Sequence, residues 1–493
     1  MREIIQEHKH KIIAAVILLA IMCISFPNLS NPPVELGDRW RQPDTFSMMR
    51  NLIEDNFNVF RPQLNYNGPK PSYVQLEFPI YAAISAILFT IFGESYFIPR
   101  FISLLFFALS AYYLYLLMKK YFSQAISVLA MVIYCILPIS IYWSRAIIPE
   151  SSMMFFLIAG YYYFVKWYED GKGLYCSAIL ISLGMLTKPQ VGFVGLALLV
   201  LCIKKYGLAF LKEKKLWIYA AIALLPYAAW FIYGFFTADQ LFVSEIARKH
   251  ILRNALIGFF SGDNLALKLG RIIDMIGFPA LCAAIIGVSK VGRKFPLAII
   301  MFALSMFIEM ITIMGAINLR YYLFPFAPAV AMMAAVAFEQ LYNAAKPFIK
   351  DIGFWFKSVS LAAALVLIFA TSYQYAKPLF AFDHNLWMFD AVEIMEAHSE
   401  KEDVFLIAIG EPTLLSLSHR AGYRVGFGYY GPPEAELERY ISMGAMYFYT
   451  HNGYIQNDHG GAYRAHLDNT YMKTDYGDGH VIYNLRVLLE GAP

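Results

Sequence analysis

Residues 41–92 read RQPDTFSMMRNLIEDNFNVFRPQLNYNGPKPSYVQLEFPIYAAISAILFTIF. The first half of this stretch is charged and interrupted by proline and glycine, whereas its end, from Phe78 to Phe92, is an apolar run. It follows one apolar segment and precedes many others, so it is a long polar insertion in a hydrophobic chain. Whether its apolar end crosses the membrane decides on which side every later loop lies.

The composition is typical of a polytopic membrane protein. The chain has 493 residues, of which 59% are hydrophobic and only 15% are charged, and a soluble domain has roughly 25% charged residues. The net charge of +4 is small and scattered, so no nucleic acid partner is expected. The five cysteines lie in apolar runs without metal-binding spacing, so we expect no disulfides.

Apolar runs of roughly span length recur about eleven times along the chain. They lie at about 12–28, 99–118, 125–142, 151–168, 174–187, 190–203, 216–236, 271–289, 295–314, 321–342 and 355–375. No small-x-small cleavage site follows the first run, which we interpret as an uncleaved signal anchor. The predicted fold class is therefore mainly α, a polytopic helical membrane protein with its transmembrane domain at residues 1–375.

Lysine and arginine clusters mark the cytoplasmic face by the positive-inside rule. They are Arg2, Lys9, Lys11; Lys119, Lys120; Lys166, Lys172; Lys204, Lys205, Lys212, Lys214, Lys215; Lys290, Arg293, Lys294; and Lys346, Lys350, Lys357. This pattern puts the N-terminus in the cytoplasm and residues 376–493 outside.

The same charge pattern settles the apolar end of the opening stretch. If Phe78 to Phe92 were a span, Lys119 and Lys120 would lie outside and every later cluster would be inverted. At about 15 residues, or roughly 22 Å as a helix, it is also short for a ~30 Å hydrocarbon core. We therefore expect it to lie in or near the outer interface, within a first outer loop at residues 29–98. By the same parity, Lys188 lies in an outer turn between two short helices.

Residues 376–493 are more polar and predict a small extracytoplasmic α/β domain. Expected strands are Asp403–Ala408, Tyr423–Phe427 and Ala445–Tyr449, with helices at about 388–398 and 433–442. Because strands and helices alternate, the sequence predicts a parallel sheet.

Several charged residues fall on the predicted outer side. They are Asp44, Glu77, Arg145, Glu150, Lys188 and Arg320. Charged groups at membrane depth are costly and are usually paired or functional. We therefore expect an anion-binding cavity with carboxylates beside it.

Each of these residues also has a structural interpretation that the sequence leaves open. Asp44 could cap a helix at Phe46 to Asn56. Arg145 and Glu150 could form a structural ion pair, and Lys188 could extend to the headgroup region. Two further residues fit a loop end and an interfacial anchor, respectively: Glu77 and Arg320.

Taken together and in this order, the motifs resemble the membrane-integral GT-C glycosyltransferases, especially the branch of protein O-mannosyltransferases and aminoarabinose transferases. The matching motifs are Arg41-Gln42-Pro43-Asp44-Thr45, Glu77-Phe78-Pro79-Ile80-Tyr81, Phe92-Gly93 with Arg100, Ser144-Arg145 with Glu150, Leu186-Thr187-Lys188-Pro189 and Arg320-Tyr321-Tyr322-Leu323-Phe324-Pro325. The resemblance spans roughly residues 10–345. The chain departs from the family where Thr45 follows Asp44 in place of a second acid, and where Glu77 stands in place of a cation.

The resemblance implies transfer of a sugar from a polyprenyl-phosphate donor to an acceptor hydroxyl, with inversion, outside the plasma membrane of a prokaryote. The acceptor would be a glycan, a lipid or a protein. Asp44 would be the catalytic base, supported by Glu150 and Glu77. The implied substrate- and phosphate-binding residues are Arg145, Lys188, Arg320, Arg41, Lys70 and Tyr321. A divalent metal ion could also take part.

The alternative function is a transporter or flippase of lipid-linked saccharides. Transporters usually have repeated halves or helices broken near the midplane. The sequence has neither an internal repeat nor charges deep in several spans, which favours the transferase.

Overall fold

The computed structural model describes residues 2–251, 254, 258–260, 265–289, 291–292, 295–317, 319–345, 353–425 and 431–489. Five basic residues of the expected cytoplasmic clusters lie outside these ranges: Lys290, Arg293, Lys294, Lys346 and Lys350. The chain divides into two compact units. The first comprises residues 1–31, 95–233 and 243–380, and the second comprises residues 32–94, 234–242 and 381–493. The first outer loop and the C-terminal residues therefore belong to one unit.

The first unit is built from helices. They are Arg2–Met22, Phe97–Lys119, Gln124–Ile136, Pro138–Trp143, Glu150–Asp170, Leu174–Thr187, Gly195–Tyr206, Lys214–Thr237, Phe242–Ile246, Leu265–Ile276, Phe278–Val288, Leu297–Ala316, Ala327–Ala345 and Gly353–Ala376. Short 3-10 turns lie between some of them, at Cys23–Asn28, Pro189–Val194, Gly207–Lys212, Arg320–Phe326 and Lys377–Phe380.

The lengths and apolar character of these helices suit a membrane. Among the described residues, six helices are long and apolar enough to cross it, and a pair bent by 95° at Gly277 adds a seventh if counted as one span. Shorter apolar helices such as Gln124–Ile136 and Leu174–Thr187 occupy other predicted runs. The mainly helical membrane class is confirmed, while the count of about eleven spans stays a prediction.

Small residues allow neighbouring helices to pack closely. A Cβ atom on Gly287 would lie 2.0 Å from the carbonyl oxygen of Met333, and one on Gly160 would lie 2.8 Å from Cδ1 of Ile181. Helix association in a membrane depends on such close packing. The contact at Gly160 joins helices Glu150–Asp170 and Leu174–Thr187. Glu150 is the first residue of one of these helices, and Lys188 directly follows the other.

The first-loop part of the second unit contains helices Arg41–Glu54 and Ile80–Phe92. The second of these confirms the short helix expected at the end of the opening stretch. It has 13 residues, which is ~20 Å of helix, and it ends at Gly93 with a φ of +82°. The rings of Phe46 and Phe89 pack with their centroids 5.5 Å apart and join the two helices. Its place in the membrane interface stays a prediction.

The C-terminal part of the second unit contains a five-stranded sheet. The strands are β1 (Val404–Ile407), β2 (Ala421–Arg424), β3 (Tyr447–His451), β4 (Tyr471–Asp475) and β5 (His480–Leu488), in the order β2-β1-β3-β5-β4. The helices are Trp387–His398, Thr413–Leu417, Pro433–Ser442 and Ala462–Thr470. The small α/β domain and its two predicted helices are therefore confirmed.

The expectation of a wholly parallel sheet is wrong. Strand β1 runs parallel to β2 and β3, but β5 is antiparallel to both β3 and β4. The reason is a tight turn between β4 and β5, where Gly477, Asp478 and Gly479 all have positive φ, as hairpin turns require. The last two residues of the expected strand Tyr423–Phe427 lie outside the described ranges.

The first loop pairs with the free edge of β2. The Gly68 amide donates to the carbonyl of Gly422 at 3.0 Å, and the Gly422 amide donates to the carbonyl of Asn65 at 2.8 Å. The Asn65 side chain also donates to the carbonyl of Leu415 at 3.1 Å. An edge strand otherwise exposes unpaired backbone groups, so this pairing explains why the loop and the C-terminal residues form one unit.

Candidate functional site

Asp44 lies in the first turn of helix Arg41–Glu54 and does not cap it. The residue before the helix is Trp40, which makes no side-chain capping bond. The Asp38 carboxylate accepts from the amides of Trp40 at 3.2 Å and Arg41 at 2.8 Å and so takes that role. The interpretation of Asp44 as an N-cap is therefore wrong. The helix starts earlier than expected because Pro43 is well tolerated in a first turn.

The Asp44 carboxyl group is buried among residues of the second unit. Its side chain is 1% exposed, and Oδ1 accepts a hydrogen bond of 2.8 Å from the Ser416 hydroxyl. Burial raises the pKa of Asp44 to about 7, against the Ser416 hydrogen bond and the charges of Arg41 and Arg424, which lower it. Asp44 therefore changes its protonation state near neutral pH.

Aromatic rings and a second guanidinium surround this carboxyl group. Arg424 stacks on the rings of Trp40 and Tyr66 at 4.6 and 4.8 Å and donates to the carbonyl of Gly410 at 2.7 Å. Burial and the charge of Asp44 both raise the pKa of Tyr66, so its hydroxyl stays neutral. Ser416, Arg424 and Tyr66 were not predicted. Ser416 is 372 residues from Asp44 in the sequence, and Arg424 is farther still, so neither gives a local signal.

Two other predicted residues of the first loop pair with each other. Arg41 Nη2 lies 2.9 Å from Glu77 Oε2, and both side chains are largely buried. Because Arg41 acts on Asp44 through its charge, Glu77 is placed to hold Arg41. The structure thus gives the acid at position 77 a cation partner.

Lys70 lies in a different cluster, around Glu54. Its ammonium donates to Asn51 Oδ1 at 2.7 Å and lies 3.6 Å from Glu54. Lys401 also pairs with Glu54, and His419 Nε2 lies 2.8 Å from it. Burial opposes ionisation of Glu54, but the contacts with His419 and Lys401 hold its pKa well below the usual range. The structure does not bring Lys70 into contact with Asp44.

The first unit contains a second cluster of predicted residues, centred on Lys188. Lys188 is 3% exposed, and its ammonium pairs with Oε1 of the buried Glu150. It also lies 4.8 Å from the ring centre of Tyr321 and 4.7 Å from that of Tyr322. The sequence places these residues far apart, and the helix pair Glu150–Asp170 and Leu174–Thr187 brings the two charges together. Lys188 therefore does not extend to a surface.

Arg145 is fully buried, and it contacts a backbone carbonyl and two aromatic rings of the first unit. Nη1 donates to the carbonyl of Asn28 at 2.8 Å, and the guanidinium lies over the rings of Phe380 at 4.4 Å and Tyr142 at 5.4 Å. Glu150 is paired with Lys188, so the alternative interpretation of Arg145 and Glu150 as a structural ion pair is wrong. Arg320 is exposed, and its positive charge repels that of Arg271.

Metal ions in proteins are bound by clustered acidic, histidine and cysteine side chains. In the described part of the chain no group of three or more His, Cys, Asp or Glu side chains could hold a metal ion.

The long apolar helices of the first unit define a multi-pass membrane protein, and its fold is that of the GT-C glycosyltransferases. The expected resemblance is thereby confirmed at the level of the fold. Residues 70–233 match the family model described as dolichyl-phosphate-mannose-protein mannosyltransferase. A comparison with curated protein sequences gave no match.

Two solved structures illustrate the likeness. One is ArnT from Cupriavidus metallidurans bound to undecaprenyl phosphate, with a TM-score of 0.64 and 12% identity over 95% of this chain and 97% of that one. The other is the oligosaccharyltransferase AglB from Archaeoglobus fulgidus with an inhibitory peptide and a dolichol-phosphate, with a TM-score of 0.60 and 14% identity over 95% and 74%. At these identities the likeness shows a shared fold.

Proposed function

We propose that this protein transfers a sugar from a polyprenyl-phosphate donor to an acceptor hydroxyl. The observation that carries the proposal is a buried carboxyl group, Asp44, with a pKa of about 7 in a chain with the GT-C fold. A general base works best when its pKa lies near the operating pH. The solved relatives bound to undecaprenyl phosphate and dolichol-phosphate support a lipid phosphate as the carrier.

Asp44 is the proposed base. The acceptor oxygen bonds to the anomeric carbon while its proton passes to the Asp44 carboxylate, and the bond between that carbon and the phosphate oxygen breaks with inversion. Ser416 holds Oδ1, so Oδ2 is the oxygen that receives the proton. Asp44 then releases the proton to solvent and is ready for another turnover.

Lys188 is the proposed cation for the leaving phosphate. The lipid phosphate leaves with the electron pair and needs positive charge more than a proton donor, and a fixed ammonium in a site of low dielectric supplies it. Glu150 and Tyr321 hold this ammonium in place. Arg145 and Arg320 are further candidate cations of the first unit, and in the second unit Glu77 positions Arg41.

We further propose that the protein lies in the plasma membrane of a prokaryote, with its N-terminus in the cytoplasm and residues 376–493 outside. The Lys and Arg clusters support this orientation. A cysteine placed at the exposed Glu402 should react in intact cells with a membrane-impermeant maleimide, whereas one at the exposed Lys212 should react only after lysis. The opposite pattern would overturn the orientation.

The function is tested with purified protein in lipid vesicles and a panel of radiolabelled polyprenyl-phosphate sugars, each with candidate lipid, glycan and peptide acceptors. Label that moves from the carrier to a second molecule supports a transferase. Label that crosses the bilayer while it stays on its carrier would contradict the proposal and support a flippase. Asp44→Asn should abolish transfer, and Asp55→Asn at the other end of the same helix is the matched control.

A further inference from the structure

Helix Leu297–Ala316 is strongly apolar and carries one acidic residue, Glu309. Glu309 is 0% exposed. It lies seven residues before the end of the helix at Ala316, which is about 10 Å along the axis. Ionisable residues at such a depth are rare and usually functional.

Neither carboxyl oxygen of Glu309 has a hydrogen-bond partner among the described residues. The Lys188 ammonium interacts with it electrostatically, but Lys188 already pairs with Glu150. Two ionised carboxylates beside one ammonium would leave an excess negative charge away from water, which is unfavourable. The neutral form of Glu309 avoids this cost, and a neutral carboxyl group can donate one hydrogen bond and accept others.

Other buried polar atoms of the same region also lack partners within the described ranges. They are Glu150 Oε2, Gln190 Nε2 and Ser305 Oγ. Ser305 precedes Glu309 by one helical turn and shares its face, and Gln190 follows Lys188 by two residues. Thr312 of the same helix is different, because its hydroxyl donates to the carbonyl of Ile308 at 2.8 Å. Folded proteins rarely leave buried polar groups unpaired, so several near one buried cation indicate the site of a polar ligand.

We propose that Glu309 in its neutral form hydrogen-bonds the sugar-phosphate head group of the lipid donor beside Lys188. Glu309 and Lys188 then bind the same ligand: Lys188 through its charge, and Glu309 through a hydrogen bond from a neutral carboxyl group. The inference rests on the proposed function, since that function supplies the ligand. The partner atom is a phosphate oxygen or a sugar hydroxyl, and both accept a hydrogen bond from a carboxyl group.

The test compares Glu309→Leu, which removes the polar group, with Glu309→Gln, which keeps a neutral donor and acceptor of similar shape. Loss of a hydrogen bond should raise the KM for the lipid donor about tenfold in Glu309→Leu, while Glu309→Gln should stay within about threefold of the wild type. Thr312→Val is the matched control on the same helix, because its hydroxyl is already bonded within the helix, and its KM should not change. Melting temperatures in detergent show that each variant is folded, and Glu309→Met replaces the leucine variant if that one fails to fold.

An unchanged KM in the apolar variant would overturn the inference, and so would an equal loss in Glu309→Gln, which would require an ionised carboxylate. Direct binding of the radiolabelled donor lipid separates this inference from the proposed function. If the wild type transferred no sugar, the function would fail, but about tenfold weaker donor binding by Glu309→Leu would still support the Glu309 contact, and equal binding would overturn it. Comparing the donor with sugar-free polyprenyl phosphate assigns the partner: a loss with both lipids indicates the phosphate, and a loss with the donor alone indicates the sugar.

Discussion

Two opposing effects within the second unit set the pKa of the Asp44 carboxyl group. Burial raises its pKa, and the Ser416 hydroxyl together with two guanidinium groups lowers it again. A group balanced in this way is sensitive to the loss of a single contact. Asp44 is therefore a residue at which small substitutions nearby should be visible in the pH dependence of the rate.

Ser416→Ala removes the hydroxyl that donates to Asp44. Because this hydrogen bond favours the ionised form, its loss should raise the pKa of Asp44 and move the acidic limb of the rate profile upward by about 0.5–1 pH unit. Ser418→Ala is the control, since its buried hydroxyl has no partner among the described residues. An identical profile for Ser416→Ala and the wild type would show that the limb does not report on Asp44.

Asp44→Asn should also change how stability depends on pH. The unfolded chain loses the Asp44 proton near pH 4, whereas the folded protein keeps it up to about pH 7. Ionisation of Asp44 therefore lowers the free energy of unfolding of the wild type as the pH rises from about 4 to about 7. At pH 8 the free energy of unfolding of the variant should exceed that of the wild type by up to about 4 kcal/mol, and its melting temperature should be higher. At pH 5 the difference in melting temperature should be smaller. A gap independent of pH would contradict the raised pKa.

Lys188 has both a structural partner and a proposed ligand, and a double substitution separates the two. Lys188→Met leaves Glu150 buried and unpaired, which should cost about 3–5 kcal/mol of stability. The double variant Lys188→Met with Glu150→Gln removes both charges and should recover most of that stability. If Lys188 binds the donor phosphate, the double variant should still use the donor poorly. If the double variant recovered both its stability and its use of the donor, Lys188 would have only a structural role.

Helices and strands whose pattern is local in sequence were predictable. Helices Trp387–His398 and Pro433–Ser442 follow from their amphipathic spacing, and the short helix Ile80–Phe92 follows from its length and the charge clusters around it. The start of helix Arg41–Glu54 was missed because its first turn contains Pro43 and polar residues. The hairpin of β4 and β5 was missed although Gly477-Asp478-Gly479 is a recognisable turn signal.

The pairing of the first loop with β2 depends on Gly68. This residue has a φ of +103°, and a Cβ atom would lie 2.4 Å from the Tyr423 hydroxyl. Gly68→Ala should therefore suffer both backbone strain and a steric clash, and destabilise the protein by about 2–4 kcal/mol. Gly171→Ala is the matched control, with positive φ but no atom of the described residues within 4 Å of the added carbon. Equal melting temperatures for the two variants would show that the contact with Tyr423 is not tight.

The candidate residues fall into two groups, one in each compact unit. Asp44, Arg41 and Glu77 belong to the second unit, together with Ser416 and Arg424 from the C-terminal residues. The first unit contains the Lys188 cluster and Glu309. The sequence drew attention to Asp44 because a long polar loop is unusual in so hydrophobic a chain, and to Lys188 because it lies between two short apolar runs. It could not predict Ser416 or Arg424, because their relation to Asp44 depends on how the loop pairs with the sheet.

The rate of sugar transfer at saturating donor, measured against pH for the wild type and Asp44→Asn, tests whether Asp44 is the catalytic base. The wild-type rate should rise with pH and level off above about 7, the pKa of Asp44. Asp44→Asn should retain less than about one hundredth of that rate at every pH, with Asp55→Asn close to the wild type. A folded Asp44→Asn variant that transfers sugar at the wild-type rate would contradict the assignment of Asp44 as the base.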